Sequence, residues 1–304
     1  MTLAVHSVAP ARSRVQAPRV GDAVTDLARR YAAEMNASAF ASALRHRQVP
    51  RRSYVAFLAT MYPLVVGFNR ALIHSIAKVD HVRRSGFVRA LARQLEEEQA
   101  HNQLWRGMLE VFDVDHESLY NDLEEYLDGF DREELDRTTA DVLAAVRRDL
   151  GAGGESRFPD AAFPDAVLAL YHHLWRSATD ESVSYWSHFA SQAGIEMIIW
   201  DVVTESILPG ILGHPELDRG LASTHWWLEH GKPPVPTAHH VTDEEKHLAL
   251  SKMALNRSET ANALATSVEA RAEDTMRLFV ASLIAQRAHG HAFPLERYLK
   301  PGMA

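Results

Sequence analysis

Apolar residues recur at steps of three and four along most of this chain, which is the spacing that places side chains on one face of a helix. The first clear example joins Val24, Leu27, Tyr31 and Met35. No stretch of useful length alternates between apolar and polar residues, as a half-buried strand would. The sequence contains no internal repeat period either. The pattern therefore predicts an all-α protein.

The same periodicity predicts the positions of the individual helices. Breaks are expected where glycine and proline interrupt the pattern, most clearly at the Gly-Ala-Gly-Gly run that starts at Gly151 and at the prolines that follow it. The predicted helices cover 51–79, 83–112, 117–128, 131–150, 165–192, 215–230 and 238–289. Kinks are expected at Pro63 and at Gly194, and beyond Gly194 the helix is expected to continue to Leu208. An interruption is expected near 256.

The ends of the chain are expected to be tails around one helical domain. Residues 1–21 carry three arginines and no acid, so they are predicted to be a flexible N-terminal tail. The domain is placed at 22–290 and a C-terminal tail at 291–304. The longest apolar stretch, from Tyr54 to Phe68, is shorter than the roughly 20 residues of a membrane span. We expect a soluble, cytoplasmic protein without a membrane partner.

Charge and composition narrow the classes of function. The chain has 32 Lys and Arg against 40 Asp and Glu, a net charge of −8. A negative protein does not attract nucleic acid, so neither DNA nor RNA is an expected partner. Cysteine is absent and histidine occurs 17 times. Disulfides, thiolate nucleophiles and cysteine-ligated metals are therefore excluded, and histidine is the abundant reactive residue.

Two predicted helices carry carboxylates where metal chemistry could occur. Glu98 and His101 are three residues apart, so both point from one helical face. Glu97 is an alternative to Glu98 in this cluster of three glutamates. Glu196 is the single carboxylate of an apolar segment that starts at Gly194. An isolated buried carboxylate should be paired or should coordinate a cation.

A third motif combines two imidazoles with an acid. His240, Glu244 and His247 occupy positions i, i+4 and i+7 and fall within roughly 60° of arc on a helix. The register His239, Asp243 and His247 is the alternative and spreads over roughly 80°. We favour the first register because its arc is tighter.

Together the three motifs are typical of a site for two metal ions. Helical proteins build such sites from carboxylates and Glu-x-x-His pairs that project into a bundle. Oxygen and nitrogen ligands without sulfur suit iron or manganese. Glu196 is the expected bridging carboxylate. The predicted ligands are Glu98, His101, Glu196, His240, Glu244 and His247, with Glu97, His239 and Asp243 as alternates.

The order of these motifs resembles that of the heme-oxygenase-like di-iron oxidases and oxygenases. The order is Glu-x-x-His, then a Gly-x-Glu helix, then His-x-x-x-acid-x-x-His, and the resemblance spans roughly residues 25–290. It implies a heme-oxygenase-like bundle of about seven core helices with short extra helices, two Fe(II) ions per chain and dioxygen as co-substrate. One departure is Glu244, because Asp is commoner at that position in the family.

The resemblance also implies the class of reaction. The expected function is oxidation or oxygenation of a small amino-acid-like, amine or carboxylate substrate in natural-product biosynthesis. N-oxygenation, desaturation or cyclisation, and oxidative C–C cleavage all remain open. An external reductant, a protein electron donor and a homodimer are further expectations. The alternatives are a ferritin-like di-iron carboxylate protein and a non-enzymatic helical binding protein.

Three cations are candidates for binding a substrate carboxylate. They are Arg70, Lys78 and Arg176, which lie on helices close in sequence to the predicted ligands. The competing interpretation of each is an ordinary surface charge.

Overall fold

The computed structural model describes residues 19–128, 131–149, 163–232, 243–289 and 295–300. These residues are helical almost throughout and contain no strand, only an isolated bridge between Val114 and Leu299. The all-α prediction is confirmed.

The helices are numbered in chain order. Their bounds are α1 Val20–Asn36, α2 Ala39–Arg45, α3 Arg51–Ala77, α4 Ser85–Val111, α5 His116–Asp128, α6 Arg132–Asp149, α7 Phe163–Thr179, α8 Tyr185–Val202, α9 Leu208–Ile211, α10 Leu221–Glu229, α11 Asp243–Arg257, α12 Glu259–Ala263 and α13 Ala265–His289. A π-helical turn, Val203–Ile207, joins α8 to α9, and a 3₁₀ turn, Leu295–Tyr298, lies near the end of the chain.

Helix α8 is the centre of the bundle. Every residue from Trp186 to Ile198 is buried, as expected for a helix that is apolar on all sides. Helices α1, α7, α11 and α13 pack around it, while α3 and α4 pack against each other and α10 packs on α4. Side chains on the inward faces of α4, α8 and α10 are therefore enclosed by the bundle rather than displayed on its surface.

The segment from 165 to 192 is two helices rather than one, and the predicted continuous helix is wrong. The Asp180 side chain accepts hydrogen bonds from the backbone and hydroxyl of Ser182, which stabilises a turn. Ser184 then caps α8 by accepting a hydrogen bond from the Trp186 backbone N–H. Short polar side chains here bind backbone groups that a continuous helix would use, and α7 therefore ends. Counting the spacing of apolar residues does not detect this competition.

Gly194 lies inside α8, which continues through it. A Cβ atom at this position would lie 2.2 Å from Cε of Met276 on α13. The absence of a side chain at Gly194 therefore allows α8 and α13 to pack closely. The predicted interruption near 256 is confirmed, because α11 ends at Arg257 and Ser258 caps α12.

The ends of the helical unit differ from the predicted domain limits. Helix α1 begins at Val20, which is fully buried. At the other end the Tyr298 carbonyl accepts a hydrogen bond from Asp115 N–H, and Lys300 N–H donates to the Asp113 carbonyl. Residues 295–300, assigned to a tail from the sequence, therefore pack on the bundle. Residues 1–18 and 301–304 lie outside the described residues.

One described helix, α3, is long and apolar enough to cross a membrane by length and composition. Its most apolar window is 71% buried inside the bundle. A core helix of a water-soluble protein has the same properties, and α3 packs on α4 and α7 as such a helix does.

Candidate metal centre

Helix α4 places Glu98 and His101 side by side in the interior. Glu98 is 8% exposed and His101 is 7% exposed, and His101 Nδ1 lies 3.4 Å from Glu98 Oε2. The Asn69 amide donates to the backbone carbonyl of Glu98 at 3.1 Å, which ties α3 to this turn of α4. The predicted shared face of Glu98 and His101 is therefore observed, and it is a buried face.

A third side chain joins this pair from the end of α10. His230 is the C-cap residue of α10, is 4% exposed, and its ring centroid lies 4.4 Å from that of His101. One potential ligand atom from each of Glu98, His101 and His230 lies within 4.8 Å of the others. One carboxylate and two imidazoles thus converge on a volume that a single cation could occupy.

The orientation of the His230 ring is fixed by Trp226. The two rings stack with centroids 3.6 Å apart and planes 13° from parallel. His230 Nδ1 lies 2.8 Å from the Trp226 carbonyl oxygen, and a carbonyl can only accept, so Nδ1 carries the proton. The lone pair of this tautomer is then on Nε2, where a metal would bind. Burial, followed by the charge of His101, holds the pKa of His230 well below its usual range.

Glu196 approaches the same region from α8. It is 4% exposed, and Gln94 Nε2 on α4 donates to its Oε1 at 2.8 Å. Glu196, Glu98 and His230 all line one cavity. The carboxylate predicted to be isolated on its helix therefore faces the same space as the cluster on α4 and α10.

Helix α11 contacts α4 through His247. His247 Nε2 lies 2.6 Å from Oε2 of Glu97, and the charge of His247 contributes to the lowered pKa of His230. Glu97, predicted as an alternate ligand, is therefore the partner of a predicted ligand. Helix α11 also packs on α8, so it lies beside both helices that carry predicted carboxylate ligands.

The other residues of the third motif are not placed by the structure. His239 and His240 lie outside the described residues, and the same is true of the side chains of Asp243 and Glu244, although α11 begins at Asp243. The choice between the two registers stays a prediction.

The cavity beside these groups is almost entirely apolar. The volume that water-sized molecules can enter is about 60 Å³. Among the described residues its polar lining consists of Glu98, Glu196 and His230. The apolar lining is Met61, Leu64, Val65, Phe68, Leu170, Leu174, Ile195, Ile199, Trp226 and Phe279.

The three cations predicted as carboxylate binders do not line this cavity. Arg70 is exposed and donates to the Tyr120 hydroxyl at 2.6 Å. Lys78 Nζ donates to backbone carbonyls at the end of α7 and in the turn after it, 2.7 Å from that of Asp180. Arg176 forms ion pairs with Asp136 and Asp180. Each has a structural role away from the cavity.

His230 is the site residue that sequence reasoning missed. It follows a nine-residue helix and precedes a Gly-Lys-Pro-Pro loop, so no Glu-x-x-His spacing identifies it. The available sequence indication was weaker: a histidine directly after an apolar helix with two adjacent tryptophans, Trp226 and Trp227. Its approach to α4 depends on tertiary packing of α10, which periodicity does not report.

Comparison with known proteins supports the fold. No protein-family model and no curated protein matches the sequence. Among solved structures, the chain is similar to a TenA homolog from Pseudomonas syringae pv. tomato str. DC3000. The TM-score is 0.54 at 16% sequence identity, over 88% of this chain and 93% of the other. At this identity the similarity is one of fold, and it identifies this chain as an all-helical protein with the architecture of that structure.

Proposed function

We propose that this protein is a non-heme iron enzyme that oxidises a small molecule with dioxygen. The principal support is the convergence of Glu98, His101 and His230 to within 4.8 Å of one another on the wall of an apolar cavity. Two imidazoles and one carboxylate are the ligand set typical of Fe(II) oxygenases that keep coordination positions open. Bound iron would supply the activation of dioxygen.

The residues around the cluster support a metal site by fixing its ligands. Trp226 holds His230 in one tautomer and one ring orientation, and Gln94 holds Glu196 by a hydrogen bond to Oε1. Such outer contacts orient metal ligands and tune their basicity. The apolar walls exclude water from the space where a substrate would lie.

A second iron is proposed between Glu196 and α11. Glu196 is the proposed bridging carboxylate, and His247 is the described member of the third motif that reaches α4. His240 and Glu244 are the remaining proposed ligands, with His239 and Asp243 as the alternative register. The His247–Glu97 contact supports this arrangement because it places α11 against the turn of α4 that carries Glu98.

The remaining expectations belong to the same proposal. The enzyme would act in the cytoplasm on an amine, amino-acid-like or carboxylate substrate, and it would take electrons from an external reductant or a protein donor. A homodimer is compatible with this scheme.

An anaerobic Fe(II) titration tests the proposal. We expect close to two irons per chain in the wild type and a large loss of affinity for one of them in His230→Ala. His225→Ala is the matched control, because His225 lies on the same helix but is half-exposed and pairs with Glu229. If no iron binds, the alternative of a non-enzymatic helical binding protein is favoured. If His230→Ala and His225→Ala bind iron with equal affinity, His230 is not a ligand.

A further inference from the structure

A second, smaller cavity lies beside the one that the candidate metal ligands line. Its walls come from α3, α4, α8, the π-helical turn, α10 and α13. The volume that water-sized molecules can enter is about 30 Å³, whereas one water molecule needs roughly 10–15 Å³. The small cavity therefore has room for a molecule of at least two heavy atoms.

The walls of the small cavity are aliphatic or aromatic at every described residue that lines it. Four side chains line this cavity but not the larger one, and each of them is at most 5% exposed: Val202, Val203, Ile207 and Leu283. The end of the small cavity that lies away from the metal ligands is therefore built from core side chains.

The indole groups in the walls offer little hydrogen bonding to a water molecule. Trp105 Nε1 already donates to the Leu58 carbonyl at 3.2 Å. Trp227 Nε1 donates to the Tyr54 hydroxyl at 2.8 Å. Only Trp226 Nε1 lacks a partner in the described part of the chain. A buried water typically makes about three hydrogen bonds, and apolar cavities that cannot supply them stay dry, so this cavity favours an apolar occupant over water.

The two cavities share part of their walls. Four apolar side chains line both of them: Met61, Ile199, Trp226 and Phe279. Methionine is unbranched and has three rotatable bonds, so a rotation of the Met61 side chain can open a path through the shared wall. A small molecule that leaves the small cavity by this path enters the larger one, where the candidate metal ligands lie.

The π-helical turn brings the small cavity close to the metal centre from another side. Val203 and Ile207 belong to this turn, and π-helical turns occur frequently at functional sites. A Cβ atom at Gly231 would lie 2.5 Å from Cγ1 of Val203. The chain directly after His230 therefore packs against a wall residue of the small cavity.

We propose that the small cavity is a binding site for an apolar gas molecule of diatomic size, and that dioxygen occupies it before it enters the larger cavity. Dry apolar cavities in proteins bind small apolar molecules such as xenon. Binding here involves no covalent step. That the bound dioxygen is consumed rests on the proposed function. Its binding does not, because no wall residue of the small cavity is a proposed metal ligand.

Methyl NMR of the metal-free protein under dioxygen pressure tests the site. Dissolved dioxygen is paramagnetic and accelerates the relaxation of nearby methyl groups, and dinitrogen at the same pressure gives the diamagnetic reference. We expect the methyl groups of Val202, Ile207 and Leu283 to relax several times faster under dioxygen than those of Val24 and Val146, which are buried at least as deeply elsewhere in the bundle.

A pair of matched variants tests whether the cavity itself binds the gas. Val202→Ile adds one carbon atom to the wall of the small cavity and should reduce the relaxation enhancement at Ile207 and Leu283 by at least half. Val66→Ile makes the same addition at a half-buried position that lines neither cavity, and it should leave the enhancement unchanged.

Two results would overturn the gas site. The first is that the methyl groups of the small cavity relax no faster than that of Val24, and the second is that Val202→Ile and Val66→Ile behave alike. Unchanged chemical shifts of methyl groups far from each substitution show that both variants keep the fold.

The same measurements distinguish this proposal from the proposed function. Relaxation enhancement in the small cavity of a protein that binds no iron would refute the iron enzyme and leave the gas site in place. Iron binding without enhancement would refute the gas site alone. In the iron-loaded protein, Val202→Ile should slow the oxidation of Fe(II) by dioxygen a few-fold relative to Val66→Ile, and equal rates would refute the supply of dioxygen through this cavity.

Discussion

Helix α8 carries two buried polar regions of opposite electrical character. At Glu196 the bundle presents carboxylates and imidazoles, which are ligands for a cation, whereas around His188 the charged neighbours, Lys78 and Arg271, are positive. Eight residues separate them on a helix that is otherwise apolar. Burying a polar group is unfavourable unless it is paired, so each region has to provide partners for its own side chains.

The two regions also differ in how their polar groups are held. Glu196 is hydrogen-bonded by Gln94, and His230 is fixed by the Trp226 carbonyl. The His188 ring interacts with the side chain of Gln192, one turn further along the same helix. Glu196 is therefore held from a neighbouring helix, whereas His188 is held from within α8. Substitutions should accordingly have larger effects at the first region than at the second.

The largest effect is expected from removal of a predicted iron ligand. His101→Ala should lower Fe(II) affinity by more than about a hundredfold, since outer contacts alone are worth about 10- to 100-fold. Helix content should remain close to that of the wild type. Anaerobic titration and circular dichroism measure both quantities, and unchanged iron binding would mean that Glu98 and His101 are merely a buried pair.

The next comparison concerns the register of α11. Glu244→Ala should remove the second iron, while Asp243→Ala should leave iron stoichiometry at two, because the 240/244/247 arc converges more tightly. Iron analysis of both variants decides between the registers. If iron is lost in Asp243→Ala but not in Glu244→Ala, the ligands are His239 and Asp243 rather than His240 and Glu244.

A smaller effect is expected from the support of Glu196. Gln94→Leu removes the donor to Oε1 and should weaken iron binding by about tenfold to a hundredfold. Gln99→Leu is the control, because Gln99 lies exposed on the same helix. Equal iron affinities of Gln94→Leu and Gln99→Leu would show that the hydrogen bond from Gln94 does not help Glu196 to bind iron.

The smallest effect is on stability and comes from two buried histidines, one of them His188 in the second region. Burial lowers the pKa of His188 and of His173 to about 3, below the unfolded value near 6.5. The unfolded chain therefore binds more protons below pH 6.5, and folding stability falls as the pH decreases. Each histidine contributes a slope of up to about 1.4 kcal/mol per pH unit.

Urea denaturation at pH 7, 6 and 5 measures this slope. In His188→Leu the slope should be shallower than in the wild type. A slope that His188→Leu does not alter would contradict the neutral buried state of this ring.

The sequence predicted the helices and the Glu98–His101 face because both depend on local spacing. Helix limits at α3 and α4 fall within two residues of the predicted ones. The break at Asp180 was not predicted because the apolar spacing continues across it, whereas the break depends on the capping of α8 by Ser184. His230 was missed for another reason: it reaches the site by the packing of α10 on α4, and a contact between residues far apart in sequence produces no spacing pattern along the chain.

A crystal structure of the protein loaded anaerobically with Fe(II), with anomalous diffraction recorded at the iron absorption edge, tests whether iron binds at the proposed ligands. We expect one anomalous peak in coordination contact with Glu98, His101 and His230, and a second peak beside Glu196. An iron-loaded crystal with no peak at Glu98, His101 and His230, or with iron bound only at surface histidines, would contradict the proposed ligand assignment.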